Sequence, residues 1–442
     1  MRSLLLKPNV KLVKTSQGGL LFDRSNGMHM LLTGTESFVL SMCDGSRTEE
    51  DIVIEVERNY GKDKEKCRED VNAFLTSVSN KILITLPQRI QLNKSLPDPS
   101  QFLSIRPERA LIPEKIMTLG ISPSYACSLK CICCFAMAGD SLTPPKSMDF
   151  NLVKRVLREA ADLGAERLDI GGGDPIDYRY LTTMVKEAFE LGYRDITVST
   201  KGVNVTSNVA KNLRLSGLDR IQMSIDTMDP SLYDSTVGRK GMYERMLKGW
   251  YNLKKEGFHI TNRATITKQT VGTTLDLFER LYSMGIYDVR AIGTQLFGRA
   301  TQDMLPPLDA MMKLRKDAAL LSADYANSHW FVGDARFGDP YPCEGDISRT
   351  WVHPDGRVSL CDVAGSYLDD YPVFVFGNIK NESLEDIWRN KIPALFRTIR
   401  DPRCNSCPIA SSCRGGCPLF AATTQGDVMK AVPTCNILES QA

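Results

Sequence analysis

Thirteen cysteines stand in a chain of 442 residues, and they are unevenly spread. Cys43 and Cys67 lie apart near the N-terminus. Cys127, Cys131, Cys133 and Cys134 crowd one short stretch. About 200 residues follow without a cysteine, and then come Cys343, Cys361, Cys404, Cys407, Cys413, Cys417 and Cys435. The count is odd, the chain is long, and Lys7 and Pro8 interrupt the opening MRSLLLKPNV too early for a signal peptide. A disulfide framework is therefore not expected, and two metal-binding regions are. Cys127, Cys131 and Cys134 form C-x3-C-x2-C. Three thiolates on one loop would hold three irons of a [4Fe-4S] cluster and leave the fourth free to chelate a substrate or cofactor, which a four-cysteine electron carrier does not offer. The second region, with its Cys404/Cys407 pair, suits tetrahedral zinc as well as iron. Cys43 follows an apolar helix face and Cys67 starts another helix, so both read as small structural hydrophobes. His29, His259, His329 and His353 are scattered and read as ordinary surface or core residues, and no general base is assigned.

Such residues need a scaffold, and the pattern around them supplies one. Hydrophobic residues make up 42% and charged residues 24%, which fits a globular chain and excludes a disordered or fibrous one. Lys plus Arg number 55 against 53 Asp plus Glu, a formal charge of +2, which argues against a general nucleic-acid or membrane-surface binder. No apolar run approaches the roughly 20 residues of a membrane span. Residues 1–86 read as a small α+β unit: VKLVKT, GLLFDR and MHMLLT as strands, then three helices, then KILITL as a strand. Thr48 with Asp51 forms a capping signal, and Val71, Phe74, Leu75 and Val78 share one helix face. Residues 87–113 hold five prolines and read as a linker. From 114 strands alternate with helices: MTLGIS, RLDIGGG, DITVST, RIQMSID, ITNRATIT and YDVRAIG are the strands. This spacing predicts a parallel sheet in a partial (β/α)6 barrel, 114–325, with its ligand site at the C-terminal strand ends. Residues 326–442, rich in Cys, Gly, Pro and Asn, read as a domain held by metal more than by a core.

The C-x3-C-x2-C loop directly after the first barrel strand resembles that of the radical S-adenosylmethionine (SAM) enzymes. The family spacing favours Cys134 over Cys133 as the third ligand. The aromatic residue that usually precedes the last cysteine is replaced by Cys133, and Phe135 follows instead. Gly172-Gly173-Asp174-Pro175 ends strand two and resembles the GGEP motif that holds the methionine amino group of SAM, with Asp in place of Glu. Ser199, Thr200 and Gly202 resemble the ribose-side motif, and Ser224 and Asp226 an SxD signature. Arg263 and Thr265 lie on strand five. The C-terminal cysteines resemble the seven-cysteine SPASM extension. That resemblance implies one auxiliary cluster on Cys404, Cys407, Cys413 and Cys435, and another on Cys343, Cys361 and Cys417. With no further cysteine between Cys343 and Cys361, the latter would have an open iron or an Asp or Glu ligand.

Residues 1–86 resemble the PqqD-like peptide-recognition domain through Met30-Leu31-Leu32-Thr33, Val39–Gly45, Arg47-Thr48 and Asp70-Val71. Such domains bind a precursor-peptide leader as an added strand. A winged helix could bind DNA instead, but 12 basic and 12 acidic residues in 1–86 leave no basic face. Together these resemblances imply three [4Fe-4S] clusters and SAM as cofactors. They imply a reductant such as flavodoxin or ferredoxin, and a cytoplasmic, well-reduced setting. The expected activity is that of a peptide maturase: SAM is cleaved to a 5′-deoxyadenosyl radical, which takes a hydrogen atom from the peptide and leads to a cross-link. A thioether is favoured, with C–C or C–O bonds as options. Modification of a protein or small cofactor precursor is the enzymatic alternative, and a zinc-binding winged-helix regulator the non-enzymatic one.

Overall fold

The computed structural model describes residues 3–15, 18–23, 29–60, 64–87, 115–139, 147–337, 345, 348–392, 399–405, 407, 410–433 and 435. The expected linker beyond residue 87 and the candidate ligand Cys343 lie outside the described residues. The chain forms two compact units.

The first unit combines residues 1–114 with 340–347 and 393–431. Its strands are β1 (Ser3–Leu6), β2 (Val10–Thr15), β3 (Gly18–Asp23), β4 (His29–Leu32) and β5 (Leu83–Leu86). Strands β2, β3 and β4 make an antiparallel sheet, while β1 pairs antiparallel with β5. Strand β1 is not predicted by the sequence: its Ser-Leu-Leu-Leu run is too short to show a period, and its partners β5 and residues 43–47 are distant in the chain. Three helices, Gly34–Ser41, Glu49–Tyr60 and Lys64–Ile82, follow β4 as expected. Thr48 and Asp51 do cap one another, with the Thr48 amide 2.8 Å from the carboxylate and the Asp51 amide 3.2 Å from the hydroxyl. Phe38, Leu40, Met42, Ile52, Val56, Val71, Leu75 and Val78 form the core. Cys43 is buried within it and Cys67 packs on its edge. The short helix Ala410–Cys413 packs beside β4, so the Cys404–Cys417 stretch belongs to this unit.

The second unit carries the parallel sheet. Strands β6 (Thr118–Ile121), β7 (Arg167–Ile170), β8 (Asp195–Thr200), β9 (Arg220–Met223), β10 (His259–Ile266) and β11 (Asp288–Gly293) are neighbours in chain order. The helices between them turn apolar stripes inward, such as Val153, Val156, Leu157 and Ala160 of Phe150–Asp162. The sheet reaches further than the six expected strands. At one edge β12 (His329–Gly333) joins β11 in parallel, and at the other β13 (Arg349–Val352) joins β6 in parallel. An antiparallel β14 (Arg357–Ser359) and β15 (Gly377–Asn378) then follow β13. The parallel register aligns Ile121, Ile170 and Val198, and next to them Thr200 with Met223. The loops that leave these C-terminal ends share one rim.

Candidate active site

Cys127, Cys131, Cys133 and Cys134 all lie on the loop that leaves β6, at that rim. Backbone from three later segments holds the loop. The Gly173 amide donates to the Ser124 carbonyl and the Asp174 amide to the Ala126 carbonyl, both at 3.0 Å. Gly172 has φ +119°, and a Cβ on Gly173 would collide with the Ala126 carbonyl, so the glycine pair exists because the cysteine loop crosses there. The Lys130 and Ile132 amides donate to Val237 and Thr236 at 3.1 and 3.0 Å. Arg299 donates through Nε to the Cys131 carbonyl at 2.9 Å and through its guanidinium to Ala138 at 2.7 Å. The Ser128 amide reaches Asp177 at 2.8 Å, and Asn204 bridges Asp177 and the Ser128 hydroxyl at 2.6 and 2.8 Å.

Two buried carboxylates lie behind this loop. Asp174 caps the turn Pro175–Asp177 through the Ile176 amide at 3.1 Å. It also accepts from the Thr200 hydroxyl at 2.8 Å and the Lys201 amide at 3.0 Å, tying the end of β7 to the end of β8. Burial raises its carboxyl to about 6 against these donors. Asp226 accepts from the Thr265 amide at 2.8 Å and pairs with Lys201 Nζ at 2.5 Å. Burial alone would lower the Lys201 ammonium, but Asp226 beside it holds it charged. Lys201 was absent from the residues singled out by sequence. The one available signal was a cation directly after the polar end Ser199-Thr200.

The thiols fit a cluster. Burial pushes Cys127 and Cys133 up to about 12 and Cys131 to about 11, so in the metal-free chain they stay protonated. Cluster uptake must release those protons. Cys127 feels both Cys131 and Cys134, and Lys201 and Arg299 both favour the Cys131 thiolate. Three mutually interacting sulfurs with two cations behind them suit an anionic iron–sulfur group. Among the described residues no three Cys, His, Asp or Glu side chains converge on a single ion; a four-iron cluster takes each thiolate on a separate iron. Cys133 is half-buried and has the same neighbours, Asp226, Lys201, Cys131 and Cys134.

The other expected contacts are placed unevenly. Ser199 accepts from the Gln222 side chain at 3.0 Å. Ser224 is held at the rim by its amide on the Thr200 carbonyl at 3.0 Å. Phe135 is half-buried, and its carbonyl accepts from Ser366. Arg263 is exposed on β10, two residues before Thr265. In the first unit Cys404, Cys407 and Cys413 follow one another through turns: the Cys407 amide donates to Cys404 at 2.9 Å, and Gly416 to Cys413 at 2.9 Å. Cys417 caps the helix Pro418–Gln425. Cys361 and Cys435 belong to the second unit.

The model of the radical SAM superfamily matches residues 121–281. The chain carries a radical SAM domain. The iron–sulfur cluster-binding SPASM model matches residues 343–414, and the model for coenzyme PQQ synthesis protein D matches residues 19–84. The radical SAM and SPASM domains imply SAM and iron–sulfur clusters as cofactors. The chain is 28% identical to a PqqA peptide cyclase of Rhizobium meliloti over 63% of its own length and 76% of that protein's. It is 24% identical to an AdoMet-dependent heme synthase of Methanosarcina barkeri over 70% of its length and 93% of the other. Streptococcus suis SuiB bound to S-adenosylmethionine shares its fold, with TM-score 0.63 and 18% identity, over 98% of this chain and all (100%) of that one. SuiB bound to precursor peptide SuiA matches with TM-score 0.63 and 17% identity, over 99% of this chain and 100% of that one. No helix among the described residues is long and apolar enough to cross a membrane.

Proposed function

We propose that this enzyme takes a hydrogen atom from a ribosomally made precursor peptide and closes an intramolecular cross-link in it, with a thioether favoured over C–C or C–O bonds. The observation that carries the reading is the order of parts. A PqqD match precedes the radical SAM and SPASM matches in one chain, and relatives with a related core are PqqA peptide cyclases. Cys127, Cys131 and Cys134 would hold three irons of the SAM-binding cluster. Cys404, Cys407, Cys413 and Cys435 would hold one auxiliary [4Fe-4S] cluster, and Cys343, Cys361 and Cys417 another, three clusters in all. When bound, SAM and its cluster supply hydrogen-atom abstraction by a 5′-deoxyadenosyl radical.

The chain's own residues hold the site ready. Gly172 and Gly173 seat the cysteine loop, Asp174 joins that seat to Thr200, and Lys201 with Arg299 opposes the negative charge that the thiolates bring. Ser199, Ser224, Asp226 and Arg263, with Gly172–Pro175 and Phe135, are the residues offered to SAM. The 1–86 part would bind the leader of the peptide, and a flavodoxin or ferredoxin in a reduced cytoplasm would supply the electron.

The test uses a short cysteine-bearing peptide encoded beside the gene, incubated anaerobically with reconstituted enzyme, SAM and reductant. A peptide lighter by two hydrogens, with fragmentation blocked across the linked residues, supports the reading; an unchanged mass refutes it. The heme synthase relative favours a second reading, action on a small cofactor precursor. An unaltered peptide with turnover of a tetrapyrrole would establish that one instead.

A further inference from the structure

The C-terminal extension is fastened to the first cysteine loop at a buried point that the chemistry proposed above does not use. His353 follows β13 and is 1% exposed. Its Nδ1 lies 2.9 Å from the Tyr125 hydroxyl, and its Nε2 lies 2.7 Å from the Ser359 hydroxyl. Ser359 in turn donates to the Cys361 carbonyl at 3.0 Å. With its proton so committed, Ser359 accepts from Nε2–H, and Nδ1 is left to accept from Tyr125. The result is a hydrogen-bond chain running one way, from Tyr125, two residues before Cys127, to the backbone of Cys361. Burial pushes the His353 ring down to about 3, against Asp355, so the ring is neutral and this tautomer persists.

Neighbouring contacts repeat the connection. Ser366 donates to the Phe135 carbonyl, the Gly298 amide donates to the Tyr367 hydroxyl at 2.9 Å, and the Arg299 amide donates to the Cys134 carbonyl at 3.1 Å. A Cβ on Gly365 would collide with the Tyr125 hydroxyl and the His353 ring, so that backbone lies directly against the pair. All of these residues belong to the second unit.

We propose that Tyr125, His353 and Ser359 are positioning residues that lock the segment bearing Cys361 to the loop bearing Cys127, Cys131 and Cys134, so that the two metal-binding segments behave as one body. The consequence for metal rests on the proposed function, but the mechanical link is a property of the chain itself.

Hydrogen–deuterium exchange separates the two. Tyr125→Phe removes one oxygen, distant in sequence from Cys361. It is expected to speed exchange in residues 361–367 by about five- to tenfold, the net worth of one hydrogen bond. His353→Phe should speed exchange in both 125–139 and 361–367. His353→Gln, which keeps a donor and an acceptor, should restore part of the protection. In protein reconstituted with iron and sulfide, Tyr125→Phe should also alter the paramagnetic-resonance signal of an auxiliary cluster, not only the signal that responds to SAM. Unchanged exchange at 361–367 in Tyr125→Phe overturns the proposal. So does a uniform rise that reaches the helix Phe150–Asp162 in every variant, His353→Gln included. A wild-type chain that takes up no iron would overturn the proposed function alone, and exchange would still decide the link.

Discussion

Lowering the pH should loosen the second unit through one residue, His353. Its ring is buried, its two nitrogens are spent on Tyr125 and Ser359, and burial holds it down to about 3 against an ordinary value of 6.5. A base whose folded pKa is depressed leaves stability intact above 6.5. As pH falls below 6.5 the unfolded chain binds a proton that the folded chain refuses, so stability declines until about pH 3. At pH 4.5 the gap is two units, about 2.7 kcal/mol at 1.36 kcal/mol per unit. Other groups titrate in the same window, so the comparison must be with His353→Gln, which keeps them and lacks the imidazole. Trp351, buried two residues away with its indole N–H on Ser122 at 2.9 Å, makes tryptophan fluorescence a local reporter. Urea unfolding of the reduced, metal-free chain would be followed from pH 7 to 4.5. The variant should start less stable and lose about 2.7 kcal/mol less over that range. Parallel wild-type and variant curves would refute a buried neutral imidazole, and with it the one-way hydrogen-bond chain.

Four further outcomes follow from the same geometry. Cys134→Ser should abolish SAM cleavage to 5′-deoxyadenosine whereas Cys133→Ser retains it; iron content and product chromatography check the pair. Gly173→Ala pushes a methyl into the Ala126 carbonyl. It should cost about 1–3 kcal/mol in urea unfolding and displace the cysteine loop, seen as lost iron uptake. Lys201→Met strands the Asp226 carboxylate, 2% exposed, and should cost about 3–5 kcal/mol, with Lys201→Arg recovering most of it. Deleting residues 1–86 removes the sheet beside which Ala410–Cys413 packs, so iron bound by the Cys404–Cys417 stretch should fall while SAM cleavage persists.

Local pattern carried much of this architecture. The six central strands and their helices follow from periods of two and 3.6 and from glycine-ended helices, because each repeats within a dozen residues. The place of the cysteine loop was legible for the same reason: its position directly after a strand is local. Long-range partners were not. β1 pairs with β5 near the far end of its unit's first 86 residues, and β13 enters the sheet beside β6 from far along the chain. His353 read as an ordinary residue because its partner Tyr125 is 228 positions away. Lys201 and Asp226, 25 positions apart, show their pairing only once β8 and β9 lie side by side.

The Gly172–Pro175 motif shows how local and distant readings combine. A resemblance assigns it to the methionine end of SAM. In the structure the amides of Gly173 and Asp174 are spent on the cysteine loop, and the Asp174 carboxylate on Ile176, Thr200 and Lys201. The Gly173 and Asp174 amides therefore seat the cysteine loop, while the Asp174 carboxylate ties that seat to the end of β8. With the shorter Asp side chain in place, the carboxylate accepts from the Thr200 hydroxyl of the β8 end at 2.8 Å. Lengthening it with Asp174→Glu would push a methylene into a site 5% exposed, so this position favours the shorter acid on packing grounds.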